Sequence, residues 1–138
     1  MKKVVLDTNV IISALFWKGN SRKIYDLVRQ GELIMLLSDN MEKEFIRVLG
    51  YEKFGLSPQE IIPFLRNLRT HARHVETESK ISVVIADPTD NIFLDCALDG
   101  GADFLISGDR HLLDIKVYKG IKIVRASEFL IKEGSPHS

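Results

Sequence analysis

The sequence lacks several features that would restrict its function. It has a single cysteine, Cys96, among 138 residues, so no disulfide can form within the chain. Its 19 basic and 19 acidic side chains balance, so any nucleic-acid binding must depend on local patches. The apolar run 10–17 is too short to span a bilayer and contains a serine. These properties predict a cytoplasmic protein without a membrane partner.

The sequence also offers no zinc site. His71 and His74 fall on a predicted helix rich in arginine, His111 stands alone, and Cys96 lies in an apolar helical pattern. We therefore expect any metal site to be built from oxygen ligands.

Short apolar runs alternate with helical patterns along the chain. We predict strands at residues 3–8, 33–37, 81–85, 103–107 and 121–124. We predict helices at residues 10–17, 21–30, 39–49, 57–74, 87–99 and 126–132. Continuous apolar strands between helices are typical of a mainly parallel sheet covered on both faces. The predicted fold class is therefore α/β, in three α/β/α layers around about five strands. We predict one domain at residues 1–132 and a short tail at 133–138.

Two of the predicted strands end in aspartate. Residues 4–6 of the first strand lead into Asp7, and residues 104–108, at the end of the fourth strand, lead into Asp109. Either residue alone could belong to an ordinary turn or cap a helix. In open parallel sheets, however, binding sites form outside the carboxyl ends of the strands. Both aspartates are therefore candidate site residues.

The predicted helix 87–99 carries a carboxylate on its apolar face. Asp87 precedes a proline and is explained as the helix N-cap, which makes Asp90 a first-turn residue. Asp90 shares a face with apolar side chains, where an unpaired carboxylate is unfavourable. The opposite face carries Asn91, Asp95 and Asp99, and we expect Asp95 and Asp99 to be solvated.

The helix after the second strand holds a further acid. Asp39 and Glu42 fit a capping box, which leaves Glu44 without a local role on the shoulder of the apolar face. An ordinary ion pair with Arg47 is the alternative explanation of Glu44. Four converging carboxylates would repel one another unless a cation binds them. Oxygen ligands favour Mg²⁺ or Mn²⁺ over Zn²⁺.

Four segments together resemble the PIN-domain family of metal-dependent nucleases, and the likeness is greatest to its VapC-like branch of toxin–antitoxin toxins. The segments are VVLDTNVIISAL, EKEFIRVL, DPTDNIFLDCALDGGADFLISGDRHLL and GIKIVRASEFL. The resemblance implies a ribonuclease that hydrolyses RNA with one or two Mg²⁺ or Mn²⁺ ions. It also implies a homodimer and a cognate antitoxin protein.

Carried over by position, the family's catalytic and metal-binding acids fall on Asp7, Glu44, Asp90 and Asp109. Asp7 would be the central ligand, and Glu44 would bind a second ion or orient the attacking water. Supporting hydrogen bonds would come from Thr8, Asn9 and Ser107. Residues near the strand-end loops that could contact RNA phosphates, or simply be solvated, are Lys18, Arg22, Lys23, Arg110 and His111.

Two other functions stay open at this point. A phosphatase of the haloacid-dehalogenase type also begins with a strand ending in aspartate, but it needs a second aspartate where this chain has Asn9. A non-catalytic module could use the same fold to bind RNA or a protein. Phe16 and Trp17 could correspondingly be core residues, a dimer contact or a patch that a partner covers.

Overall fold

Buried parallel strands form the centre of the molecule. The computed structural model describes residues 1–84 and 87–133, and within these ranges one six-stranded sheet has the order β3-β2-β1-β4-β6-β5. Every strand pair is parallel except the antiparallel β5–β6 pair. The strands are β1 (Lys3–Leu6), β2 (Ile34–Leu37), β3 (Ala72–His74), β4 (Phe104–Ile106), β5 (Val117–Tyr118) and β6 (Ile121–Val124). The predicted α/β class with a mainly parallel sheet is confirmed.

Helices connect the strands and bury their apolar faces against the sheet and against one another. Their bounds are α1 (Thr8–Phe16), α2 (Asn20–Arg29), α3 (Asp39–Leu49), α4 (Pro58–His71), α5 (Asn91–Gly100), α6 (Arg110–Leu113) and α7 (Ala126–Lys132). Helix α5 packs on β1, β2 and β4, while α1 packs on α2 and α3. Within the described ranges, no helix has the length and apolar character needed to cross a membrane.

The position of α5 depends on close packing at its end. A side chain at Gly100 would place a Cβ 2.6 Å from Leu36 Cδ1, so only glycine lets the helix approach β2 this closely. Gly101 then ends the helix with a left-handed φ of 68°, a conformation that glycine adopts without strain. Because α5 begins at Asn91, this anchoring fixes the depth at which the preceding residue, Asp90, lies in the fold.

The predicted strand 81–85 is wrong where it can be compared, because residues 81–84 form no strand and Ile85 lies outside the described ranges. The third strand is instead β3, in a segment whose pattern predicts the end of a helix. Helix α4 stops at His71, and the extended backbone of Ala72 pairs with Met35 of β2. The hairpin strand β5 has no counterpart among the predicted strands, because it contains only two residues.

The segment 78–84 is held by side chains of α5 rather than by a neighbouring strand. Asn91 accepts a hydrogen bond from Val84 N and donates one to Val84 O, each at 3.0 Å. Asp95 accepts from Ile81 N at 2.8 Å, and Asp99 accepts from Ser79 N at 2.9 Å. Burial raises the pKa of Asp95, whereas hydrogen bonds from Ser79 lower the pKa of Asp99.

The prediction that Asp95 is solvated is therefore wrong, because this residue is half-buried, and Asn91 on the same face is buried. These residues recur every four positions along α5, so they present one row of polar groups to the backbone of segment 78–84. Asp99 is exposed as predicted, although its carboxylate is engaged by the same segment.

The predicted capping box of α3 is also wrong. Ser38, not Asp39, caps the helix, and its hydroxyl accepts from Met41 N at 3.3 Å. Glu42 instead forms an ion pair of 2.5 Å with Arg69 of α4. Only Glu133 of the predicted tail falls within the described ranges, and it is exposed.

Candidate metal centre

The carboxyl ends of β1 and β4 bring two predicted site residues together. Leu6 and Ile106 are partners in the parallel register, so Asp7 and Ser107 leave neighbouring strands at the same sheet edge. Asp7 N donates to Ile106 O at 3.1 Å, and the Ser107 hydroxyl donates to the Asp7 carboxylate. Ser107 Oγ in turn accepts from Asp109 N at 2.9 Å. The supporting position predicted for Ser107 therefore lies between the two aspartates.

Asp7 also begins the first helix. Its Oδ1 accepts from Val10 N at 2.9 Å, which caps α1 and fixes the carboxylate at the sheet edge. The residue is only 3% exposed. The pKa of Asp7 is raised from 3.8 to about 6, mainly by burial and to a smaller extent by the negative charge of Asp109, while the hydrogen bond from Ser107 acts in the opposite direction. The fold therefore holds the Asp7 carboxylate in a buried position, where its ionised form is unfavourable.

Three further aspartates face this edge. Asp87, Asp90 and Asp109 each offer a carboxylate oxygen, and these three oxygens lie within 4.8 Å of one another. Asp87 caps the short 3₁₀ turn Pro88–Asp90 by accepting from Thr89 N at 3.2 Å, which confirms its predicted N-cap role. Asp109 caps α6 through His111 N at 2.7 Å. Each cap uses one carboxylate oxygen and leaves the other able to bind a ligand.

Asp90 is the most unfavourably placed of these acids. It is 8% exposed, and its Oδ2 has no hydrogen-bond partner among the described residues. Burial raises the pKa of Asp90 from 3.8 to about 7, with smaller contributions from the charges of Asp109, Asp87 and Asp7. The prediction that Asp90 is buried is confirmed, although the residue lies in the 3₁₀ turn that precedes α5. A buried, unpaired carboxylate oxygen among other carboxylates fits a hard divalent cation.

Glu44 reaches the same cleft from α3. The cleft has a volume of about 550 Å³, and its lining includes Asp7, Glu44, Asp90 and Asp109, so all four predicted acids meet in one place. The alternative contact of Glu44 is formed as well. Arg47 donates to Glu44 from Nε at 3.0 Å and from Nη2 at 2.5 Å. Glu44 therefore lies at the cleft wall with its charge compensated by a guanidinium side chain that is 56% exposed.

Thr8 and Asn9 follow Asp7 directly and both line the cleft. The buried Thr8 Oγ1 has no hydrogen-bond partner within the described ranges. Asn9 is exposed and also lines a second cleft on the other side of Trp17. Both residues therefore lie at the cleft, and their supporting role stays a prediction.

The residues predicted to contact RNA do not line the acidic cleft. Arg22 donates to the carbonyl oxygens of Ala14 and Leu15 and so closes the end of α1, which commits its guanidinium to the fold. Arg110 lies 3.8 Å from Asp114. The exposed members of the set that do not line the acidic cleft, within the part of the chain that is described, are Lys18, Lys23, Arg110 and His111.

Three charged residues that line the cleft, Asp87, Arg47 and Lys53, are not among the site residues that the sequence predicts. From the sequence, a capping role is sufficient to explain Asp87, although the spacing of DPTD places it one turn from Asp90. The sequence suggests Arg47 only as the partner of Glu44, and Lys53 only as part of a loop. Both cations line the cleft wall. Arg47 follows Glu44 by three residues, and this spacing is the signal that could have indicated Arg47 as a residue of the cleft.

Comparison with known proteins places this site in a family. Residues 3–111 match the PIN domain, a range that contains Asp7, Glu44, Asp90 and Asp109. The chain is also 32% identical over 124 residues to the uncharacterized protein MJ1680 of Methanocaldococcus jannaschii, which covers 83% of this chain and 75% of that protein. The resemblance noted in the sequence is thereby confirmed at the level of the family. With its acids gathered at the carboxyl edge of a parallel sheet, the chain belongs to the PIN-domain family.

Proposed function

We propose that this protein is a ribonuclease that hydrolyses RNA phosphodiester bonds with the help of Mg²⁺ or Mn²⁺. PIN domains are generally nucleases that use divalent metals, and the chain belongs to that family. The observation that carries the proposal is the buried Asp90 Oδ2, which has no partner among the described residues and lies beside Asp87 and Asp109. A protein without a ligand for this cluster would gain stability by losing it.

The contacts of the acidic residues suggest different roles for them. Asp7, Asp90 and Asp109 would hold one or two cations, and Asp87 adds a fourth carboxylate to the set. When bound, the cation would acidify water and neutralise charge on the phosphate. Asp7 is fixed by Val10 N–H and the Ser107 hydroxyl, so its carboxylate is oriented before any ligand arrives.

Glu44 has a different role in this proposal. Its carboxylate is 14% exposed and is paired with Arg47 rather than with the buried aspartates. From the cleft wall it can accept a proton from, or orient, the water that attacks phosphorus. Arg47 balances the charge of Glu44 and places a positive charge at the cleft wall, where it can contact phosphate oxygens.

The test is cleavage of single-stranded RNA in Mg²⁺ or Mn²⁺, with and without EDTA, beside the Asp7→Asn variant. We expect cleavage that requires metal and that is reduced at least about 100-fold by the substitution. Cleavage that survives EDTA would refute metal dependence. Hydrolysis of p-nitrophenyl phosphate without RNA cleavage would instead support the phosphatase alternative.

We further propose that the ribonuclease acts in the cytoplasm as the toxin of a toxin–antitoxin pair, as a homodimer with a cognate antitoxin. The likeness of its motifs to the VapC-like branch supports this proposal. Induced expression in a bacterial host should stop growth, and Asp7→Asn should restore it. A neighbouring gene for a small basic DNA-binding protein should neutralise the growth arrest. Unimpeded growth of cells that contain active ribonuclease would contradict the toxin role.

A further inference from the structure

One wall of the acidic cleft carries exposed aromatic rings and positive charges. We name the set Trp17, Arg47, Tyr51, Lys53 and Phe54 the aromatic–basic rim, and all five residues line the cleft that contains the aspartates. Trp17 is 60% exposed and Tyr51 is 39% exposed. Large aromatic surfaces left in water beside a charged cleft indicate a binding surface.

The rings and cations of the rim are interleaved. The Arg47 guanidinium carbon lies 5.5 Å from the centre of the Tyr51 ring. Lys53 Nζ lies 5.8 Å from the centre of the Tyr51 ring and 5.2 Å from that of Phe54. Within the described ranges Lys53 forms no ion pair with an acidic side chain. The rim therefore combines flat apolar faces with a positive charge that no carboxylate of the described residues neutralises.

Trp17 packs against another aromatic ring and also borders a second cleft. Phe16 packs at a tilt against the Trp17 ring, with 5.6 Å between the ring centres, and stacks on Phe54 at 5.2 Å. The Trp17 side chain also lines the adjacent cleft that contains Ser107, Gly108 and Arg125. Trp17 thus lines two clefts, one that contains Asp7 and one that contains Ser107, the residues that follow β1 and β4.

We propose that the aromatic–basic rim binds single-stranded RNA beside the scissile phosphodiester. Trp17 and Tyr51 stack on unpaired bases, while Lys53 and Arg47 contact the backbone phosphates. Only unpaired bases present free π-faces, because the bases of a duplex are already stacked on their neighbours. This inference rests on the proposed ribonuclease function and adds the residues that would position the substrate: the rim favours single strands over duplexes.

The test uses the one tryptophan of the chain as its reporter. Tryptophan emission is followed while a short single-stranded oligouridylate is titrated into the Asp7→Asn protein in Mg²⁺, so that cleavage does not interfere. We expect saturable quenching by the single strand and at least about five-fold weaker binding of the same strand annealed to oligoadenylate. Binding without quenching, detected with a labelled strand, would show that the base does not contact Trp17 and would overturn the proposal.

Variants separate the stacking contact from the phosphate contact. With a labelled oligouridylate, Trp17→Ala should bind about five-fold more weakly or worse, while Trp17→Phe stays within about two-fold of the parent. Lys53→Gln should make the dependence of log affinity on log salt concentration shallower by about 0.7. Lys2→Gln is the matched control, because Lys2 is exposed at the amino end of β1, the opposite edge of the sheet. Equal affinities for Trp17→Ala and the parent would refute the stacking role.

A protein partner gives a different result from RNA. If Trp17 belonged to a contact between two copies, Trp17→Ala would shift the protein to a smaller species in size-exclusion chromatography without changing RNA affinity, and the proposal would fall. The experiments also distinguish a failure of the rim proposal from a failure of the proposed ribonuclease function. RNA cleavage by the wild type together with unchanged affinity of the rim variants refutes the rim alone. Quenching by RNA without any metal-dependent cleavage supports the rim and refutes the ribonuclease.

Discussion

Replacing Asp7 by asparagine should stabilise the metal-free protein while it abolishes cleavage. Asparagine keeps an oxygen that can accept from Val10 N, so the cap of α1 remains. What the substitution removes is a negative charge that is 3% exposed and lies near the charge of Asp109. A residue that lowers stability and is needed for activity is the pattern expected of a functional site.

The size of the effect follows from the pKa of Asp7. The pKa rises from 3.8 to about 6 on folding, so the native state binds more protons than the unfolded state between these pH values, and stability falls as the pH rises through them. At about 1.4 kcal/mol for each pKa unit, ionised Asp7 lowers the free energy of unfolding by about 3 kcal/mol above pH 6. Below pH 3.8 the penalty is absent.

The assay is thermal unfolding of both proteins in EDTA across this pH range. We expect Asp7→Asn to be more stable by about 1–3 kcal/mol at pH 8, or about 3 °C for each kcal/mol. The advantage should shrink towards pH 4. Asp114→Asn, an exposed aspartate beside Arg110, should leave the melting temperature unchanged at both pH values. A variant that is no more stable than the wild type at pH 8 would show that burial does not strain Asp7.

Three further predictions test other parts of the site. Millimolar Mg²⁺ or Mn²⁺ should raise the melting temperature of the wild type, and the increase should be larger at pH 8 than at pH 5. The reason is that protons compete with the metal for Asp7 and Asp90, whose pKa values are raised to about 6 and about 7. An increase in melting temperature that is absent, or equal at the two pH values, would count against the site. Glu44→Gln should slow RNA cleavage at least about 10-fold with little change in melting temperature, because its ion-pair partner Arg47 is 56% exposed and ion pairs of exposed side chains contribute little stability. Wild-type rates would exclude Glu44 from the chemistry. Asn91→Ala should lower the free energy of unfolding by about 2–4 kcal/mol, since it leaves the buried N–H and C=O of Val84 without partners, and a loss below about 1 kcal/mol in a denaturant titration would show that this anchor is dispensable.

The parts of the site that the sequence predicts are those fixed by short-range rules. Asp7 and Ser107 follow apolar runs, and parallel strands bring their carboxyl ends to one edge, so the sequence pattern alone is enough to expect their proximity. The burial of Asp90 can be predicted because helical periodicity relates it to apolar residues of the helix that it precedes.

The errors arise where residues distant in sequence compete for the same groups. The apolar run at 81–84 looks like a strand, but Asn91 and Asp95 bind its backbone and hold it against α5 instead. A helical wheel places both residues correctly on one face and cannot show what covers that face. Asp87 has a sufficient local explanation as a cap, so only its distance to Asp90 and Asp109 reveals the cluster. Long-range geometry, rather than pattern, decides these cases.

The sharpest test of a catalytic metal at the aspartate cluster is Mn²⁺ binding followed by electron paramagnetic resonance, with RNA cleavage assayed in the same samples. We predict that the wild type binds one or two Mn²⁺ ions and cleaves RNA, and that Asp90→Asn loses tight binding and cleavage together, because it neutralises the buried carboxylate at the centre of the cluster. Cleavage by the wild type without bound metal, or full cleavage by Asp90→Asn, would contradict a metal-dependent reaction at these aspartates.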